Sequence, residues 1–336
     1  MIRHRPSTGR AMLVLLALAV VVAIAGVVVG PVAIPFRETM AAIFRRAGSG
    51  SATLIIQQVR LPRVILGFLV GGSLAVSGTV MQGLFRNPLG SPYILGVASG
   101  ASAGASVSIV AGWSVMPWLP VCAFIGGLAA VAIVYGLARG RDRRTSIFTL
   151  ILAGVAVGAL FSAITSLMIF LSSRGEKIAD VVFWLMGGLG RTGWGGLAIL
   201  APIFVVGTLI TLALSRDLDA LSLGEQAAFH LGIDPRRATR ILLLLSTLLA
   251  SAAVAMAGTI GFVGLIVPHV LRLILGPNHR TLVSASAIGG GMFLVLADIL
   301  ARTLMRPVEL PVGIVTAFIG APFFLYLLRS RGRGVA

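Results

Sequence analysis

An all-α integral membrane protein of about ten spans is predicted by its composition, the lengths of its apolar runs and the placing of its arginines. Of 336 residues, 57% are hydrophobic and only 11% are charged, and the mean hydropathy is +1.03. Soluble domains carry about 25% charged residues, so a soluble fold is excluded. A bilayer core takes roughly 20 apolar residues per helical span, so the length leaves room for many spans and no large soluble domain. The whole chain, 1–336, therefore reads as one transmembrane domain.

The first run, "AMLVLLALAVVVAIAGVVVG", follows Arg3, Arg5 and Arg10. It exceeds the 7–15 residues usual in a signal peptide, and no A-x-A-like cleavage site follows, so it is expected to be a first membrane helix at 11–30. Further low-charge runs occupy 64–82, 92–111, 116–138, 146–171 and 196–214. The apolar stretch 241–268 exceeds one span and is divided by "AGTIGF", which gives spans at 240–257 and 259–275. The second of these carries Pro268 and Arg272 and is expected to be short or partly unwound. Spans at 281–301 and 310–328 complete the set.

Orientation follows from the basic residues. The densest cluster, "RGRDRR" at 139–144, lies in a short loop and marks the cytoplasmic side. Both termini then face the cytoplasm. The net charge of +17 is thereby assigned to span ends rather than to a nucleic-acid surface. Two connections exceed simple turns: the outer segment 172–195 and the inner segment 215–238. The inner one predicts a short cytoplasmic helix, with Ser222 as N-cap, Glu225 at its third position and Gly232 as its stop before Pro235.

"SGTVMQGLFRNP" (77–88) and "AGTIGFVGLIVP" (257–268) share a Gly-Thr pair, with a proline ten residues after each glycine. The first is expected to end an outside-to-inside span and the second an inside-to-outside span. Inverted repeats with breaks at matching positions are typical of transporters.

Catalytic chemistry is missing from the sequence. His4, His230, His269 and His279 are scattered, and Cys122 is the only cysteine. A phosphate-binding loop needs Gly-Lys-Ser/Thr, whereas the only lysine, Lys177, precedes Ile178. Coupled carriers place acids deep in their helices; the one candidate here is Asp298, four residues before Arg302, which suggests a local ion pair. A secondary carrier working alone is the rival class, and the scarcity of membrane-depth acids speaks against it.

Six segments carry a family pattern in matching order from about residue 54 to 328: "RLPRVILGFLVGGSLAVSGTVMQGLFRNPLGSPYILGVASGA", "LAGVAVGALFSAITS", "FWLMGGLG", "LSLGEQAAFHLGI", "GTIGFVGLIVPHVLRL" and "LADILARTLMRPVELPVGIVTAFIGAPFF". The chain resembles the FecCD-type permeases of ABC importers for iron-siderophores, haem and vitamin B12. The resemblance implies a type II ABC importer permease fold and a homodimer. It also implies two ATPase subunits below and a periplasmic substrate-binding protein above, in a bacterial inner membrane. No cofactor is expected on this chain, ATP and Mg belonging to the ATPase.

It also implies roles for residues. Gly224, Glu225, Ala228 and Gly232 match the loop that seats on the ATPase, within 215–238. Arg60, Arg63 and Arg302 match outer arginines that meet acidic residues of the binding protein, with Asp298 holding Arg302. Asn87 and Leu89, with Thr145 and Ser146, match closures of the cytoplasmic end of the pathway. Spans 146–171 and 310–328 would line the route between two copies. Arg174, Lys177 and Arg191 flank the outer segment, where an anionic cargo would enter, because guanidinium binds carboxylates through a planar fork. Haem is slightly preferred over ferric siderophores, with cobalamin less suited.

Overall fold

A computed structural model describes residues 8–44, 50–114, 116–138, 147–172 and 175–332. Among these residues all the regular secondary structure is helical. The membrane helices are α1 (Thr8–Val28), α4 (Leu61–Leu84), α5 (Val97–Val110), α6 (Trp118–Ala138), α7 (Ile147–Leu171), α9 (Trp194–Ala213), α12 (Pro235–Ala257), α13 (Val263–Leu275), α14 (His279–Thr303) and α15 (Val312–Gly332). Each falls on one of the expected spans. Seven are long and apolar enough to cross a bilayer, while α5, α13 and the apolar part of α15, Val312–Leu327, are shorter. Short helices lie between them: α2 (Phe36–Phe44), α3 (Ser51–Leu54), α8 (Gly175–Leu185), α10 (Ser215–Leu223) and α11 (Glu225–His230).

α3 continues into α4 through a π-helical turn, Ile55–Arg60, where the Leu61 N–H reaches back to the Ile56 carbonyl. Pro62, next in the chain, has no N–H to continue the ordinary ladder, which is where such a turn is expected. The resulting helix, Ser51–Leu84, forms the core of the molecule with α12 and α14, while α1, α6, α7 and α9 leave most of their apolar surface outward. Apolar burial gives little drive between helices in lipid, so close backbone packing takes its place. Gly71 of α4 lies against the Gly290 backbone of α14, Gly78 of α4 against Gly264 of α13, and the Gly100–Gly104 pair of α5 against Gly126 and Cys122 of α6. Hydroxyl pairs add polar links: Ser77 to Ser246 at 2.7 Å and Thr79 to Ser286 at 2.9 Å.

The internal echo needs correction. Gly258, at φ +70°, ends α12 as expected, but Gly78–Thr79 lies inside α4, which continues to Leu84. The Thr79 hydroxyl bonds to the Ala75 carbonyl one turn back, and Gly78 serves the contact with Gly264. One Gly-Thr thus breaks a helix while the other packs one.

Residues 258–262 run without helix between α12 and α13. Backbone at this depth must find partners within the protein. Gly188 donates to the Ala257 carbonyl at 2.7 Å, the Tyr93 hydroxyl donates to the Ile260 carbonyl at 2.8 Å, and the Thr259 hydroxyl donates to the Leu185 carbonyl. α13 is short, 13 residues, and stays helical across Pro268.

The segment 215–238 holds two short helices rather than one. Gly224, at φ +125°, joins α10 to α11, a backbone conformation that favours glycine. Ser222 is not the N-cap, because its hydroxyl donates to the Asp219 carbonyl at 2.6 Å inside α10. Gly232 does mark the stop, at φ +80°, and Asp234 caps α12 by accepting from the Arg236 and Arg237 N–H groups.

Candidate functional site

The residues expected to carry function gather at the two ends of the helix bundle. At the outer end, α1, α4, α14 and the segment before α15 meet around one carboxylate. Asp298 Oδ1 accepts from Arg63 Nε at 3.0 Å and Nη2 at 2.8 Å, while Asp298 Oδ2 pairs with Arg302 Nε at 3.0 Å. Arg63 Nη1 also reaches Glu309 Oε2 at 2.8 Å. Arg302 Nη2 donates to the Gly26 carbonyl at 3.1 Å, and Arg60 donates to the carbonyls of Val27, Val28 and Val32, closing the end of α1.

These arginines were expected as outward docking groups. Arg60, Arg63 and Arg302 are instead 2%, 7% and 2% exposed, with Asp298 at 1%. A buried guanidinium needs a counter-charge or carbonyl partners, and the chain supplies its own. Asp298 does hold Arg302, but its bidentate partner is Arg63.

Beside this cluster an outer hollow of about 590 Å³ opens between α8, the end of α12 and the segment before α15. Arg63, Asp180, Trp184, Arg191 and Glu309 line it. Arg191 sits at this mouth, 3.7 Å from Asp180. Lys177 does not face it as a cargo ligand, because its ammonium donates to the Val110 carbonyl at 2.6 Å and so caps the C-terminus of α5. Arg174 lies outside the described residues.

At the inner end, α4 stops in a turn where the Leu89 N–H donates to Asn87 Oδ1 at 3.0 Å and the Gly90 N–H to the Asn87 carbonyl at 2.9 Å. Asn87 is exposed and Leu89 half-buried. Arg86, at φ +48°, brings its guanidinium beside Gly224 and shares a small pocket with Glu225. The turn and the α10–α11 junction are therefore neighbours. Thr145 and Ser146 lie outside the described residues.

On α11, Glu225 faces solvent, but Ala228 is fully buried against the core and presents nothing to a partner. Around it Leu223 at the end of α10, Phe229 on α11 and Leu231 just after α11 are 72%, 69% and 64% exposed. Sequence reading missed them, although three large apolar residues on a polar segment between spans are a recognisable signal. It also missed Glu309 and Tyr93. Glu309 is the acidic residue between spans nine and ten, so its sequence position could have paired it with an outer arginine.

Comparison with known proteins identifies the family. The sequence model of the FecCD transport family matches residues 15–330. The cobalamin import system permease protein BtuC of Halobacterium salinarum is 47% identical over 281 residues, covering 84% of this chain and 75% of that protein. The hemin transport system permease protein HmuU of Yersinia pestis is 40% identical over 323 residues, covering 94% and 95%. A solved structure described as an inward-facing metal-chelate type ABC transporter superposes with a TM-score of 0.85 at 34% identity, over 96% of this chain and 99% of that one. With its multi-pass helical fold, the chain belongs to the FecCD transport family, as a permease of an ABC importer.

Proposed function

We propose that this permease forms a homodimer in the cytoplasmic membrane. Two ATPase subunits seat on its α10–α11 surfaces, and an extracytoplasmic binding protein delivers a bulky metal chelate to its outer face. The observation that carries this reading is the exposed Leu223–Phe229–Leu231 face beside Gly224 and Glu225. An apolar patch on a cytoplasmic helix pair, in a chain with no phosphate-binding loop, fits a partner that supplies ATP hydrolysis. The outward apolar and small residues of α7 and α15, among them Phe170, Ala159 and Phe318, fit a second copy closing the pathway between them.

The Asn87–Leu89 turn would close that pathway on the cytoplasmic side, where Arg86 links it to Gly224. Docking of the binding protein is assigned to the rim of the outer hollow, where Glu309 is half-exposed over Arg63. Carboxylates of the binding protein would meet Arg63 there by displacing Glu309. Such pairs favour recognition and encounter rate.

For the cargo, haem stands first. HmuU matches nearly the full chain, and Arg191 at the mouth suits a propionate. Cobalamin is the second reading, favoured by the 47% identity to BtuC. Vesicles holding the permease, its ATPase and its binding protein decide between them. Haem is expected to stimulate ATP hydrolysis and to accumulate inside. Accumulation of cyanocobalamin without haem reverses the order, and ATP-independent uptake of either removes the importer reading.

A further inference from the structure

The α10 helix grips the N-terminus of α14 through a single carboxylate. Asp219 Oδ1 accepts the backbone N–H of His279, the first residue of α14, at 3.0 Å. The same oxygen lies 2.6 Å from His279 Nδ1. A negative charge at a helix start faces the positive end of the helix dipole, which strengthens both contacts. His279 is buried, and among the described residues its Nε2 has no hydrogen-bond partner. Facing a carboxylate that can only accept, Nδ1 carries a proton and donates it to Asp219. Gly83 of α4 and Leu218 of α10 pack beside it, so three elements meet at this imidazole.

From this joint α14 runs the depth of the bundle without a break. It is tied to α4 by the Gly71–Gly290 contact and the Thr79–Ser286 bond, and it ends in the Asp298–Arg302–Arg63 cluster under the outer hollow. Packed elements move as units rather than deforming continuously. We propose that Asp219 and His279 are positioning residues for energy coupling. Through them a displacement of α10 by the ATPase passes into α14 and reaches the outer arginine cluster as motion of one strut. The proposal rests on the reading of α10–α11 as the ATPase seat.

The test needs no knowledge of the cargo. The permease–ATPase complex in lipid nanodiscs carries one spin label at Arg306→Cys, in a Cys122→Ser background, and distances between the two copies are measured with and without ATP–Mg trapped by vanadate. The unmodified joint is expected to give a nucleotide-dependent shift. His279→Ala abolishes the shift while trapped nucleotide remains, and His279→Asn, which restores an N–H near the position of Nδ1, recovers it. Asp219→Asn keeps an acceptor but loses the charge. Asp219 is partly exposed, and the variant is expected to weaken the nucleotide-bound arrangement about tenfold, the scale of one charge-assisted hydrogen bond. A full shift in both His279→Ala and Asp219→Asn, or no shift with the joint intact, overturns the proposal. Failure of the ATPase to remain bound to the unmodified permease overturns instead the reading on which it rests.

Discussion

Arg63 and Asp298 are 235 residues apart in sequence and share a bidentate contact, with Nε and Nη2 of the guanidinium at 3.0 and 2.8 Å from one carboxylate oxygen. The pair joins the start of α4 to the end of α14, and Arg302 shares the second oxygen. Removing the carboxylate leaves buried Arg302 with backbone carbonyls in place of a counter-charge and Arg63 with the partly exposed Glu309. Asp298→Ala is therefore expected to destabilise the chain by about 3–5 kcal/mol. Glu309→Gln, at the half-exposed rim, is expected to cost under about 1 kcal/mol. Thermal unfolding in detergent checks both, and equal midpoints for Asp298→Ala and the parent chain would refute the assignment.

The α4–α13 contact depends on Gly78. A Cβ there would collide with the backbone of Gly264, which cannot move as a flexible side chain could. Gly78→Ala is expected to destabilise by about 1–3 kcal/mol, and Gly78→Val by more. Unfolding midpoints of the purified variants should fall in that order. Gly136, with open space around its Cβ position, should accept alanine without a fall.

Tyr93 holds the broken segment between α12 and α13 by its hydroxyl on the Ile260 carbonyl. Tyr93→Phe keeps the ring but leaves that acceptor unpaired, an expected loss of about 1–3 kcal/mol. Amide exchange should rise locally at residues 258–263 before it rises in α4. Uniform exchange across both would show that the hydroxyl is not what holds the segment.

On α11 the expected effects separate binding from folding. Phe229→Asp and Leu231→Asp change exposed side chains, so unfolding should shift by no more than about 0.5 kcal/mol. Retention of the ATPase subunit should nonetheless be lost. Ala228→Leu has the opposite signature, overpacking a buried site at about 1–3 kcal/mol. ATPase retained by both aspartate variants would move the seat elsewhere.

Much of this architecture was legible in the sequence because lipid imposes long apolar runs and arginine marks their ends. The positions of the apolar helices, seven of them long enough to span and three shorter, the stop at Gly232 and the break at Gly258 agree with the sequence expectation. What stayed hidden depends on partners distant in sequence. Arg60, Arg63 and Arg302 were expected to face outward as docking groups, yet each points inward to carbonyls or carboxylates that only the folded helices bring together. Lys177 looked like a cargo ligand because its acceptor, the Val110 carbonyl, is a backbone group 67 residues away. The burial of Ala228 beside exposed Phe229 is set by how α11 lies on the bundle, and six residues are too few for a periodic signal to reveal it.

The central claim is that this permease moves cargo only on power supplied by a partner ATPase. Its most direct test is uptake of haem and of cyanocobalamin into vesicles holding the permease, its ATPase subunits and its binding protein, with and without vanadate and an uncoupler. Uptake that persists in the uncoupler and is abolished by vanadate or by omitting the ATPase is the predicted result. Uptake by the permease alone that collapses with the uncoupler would contradict it.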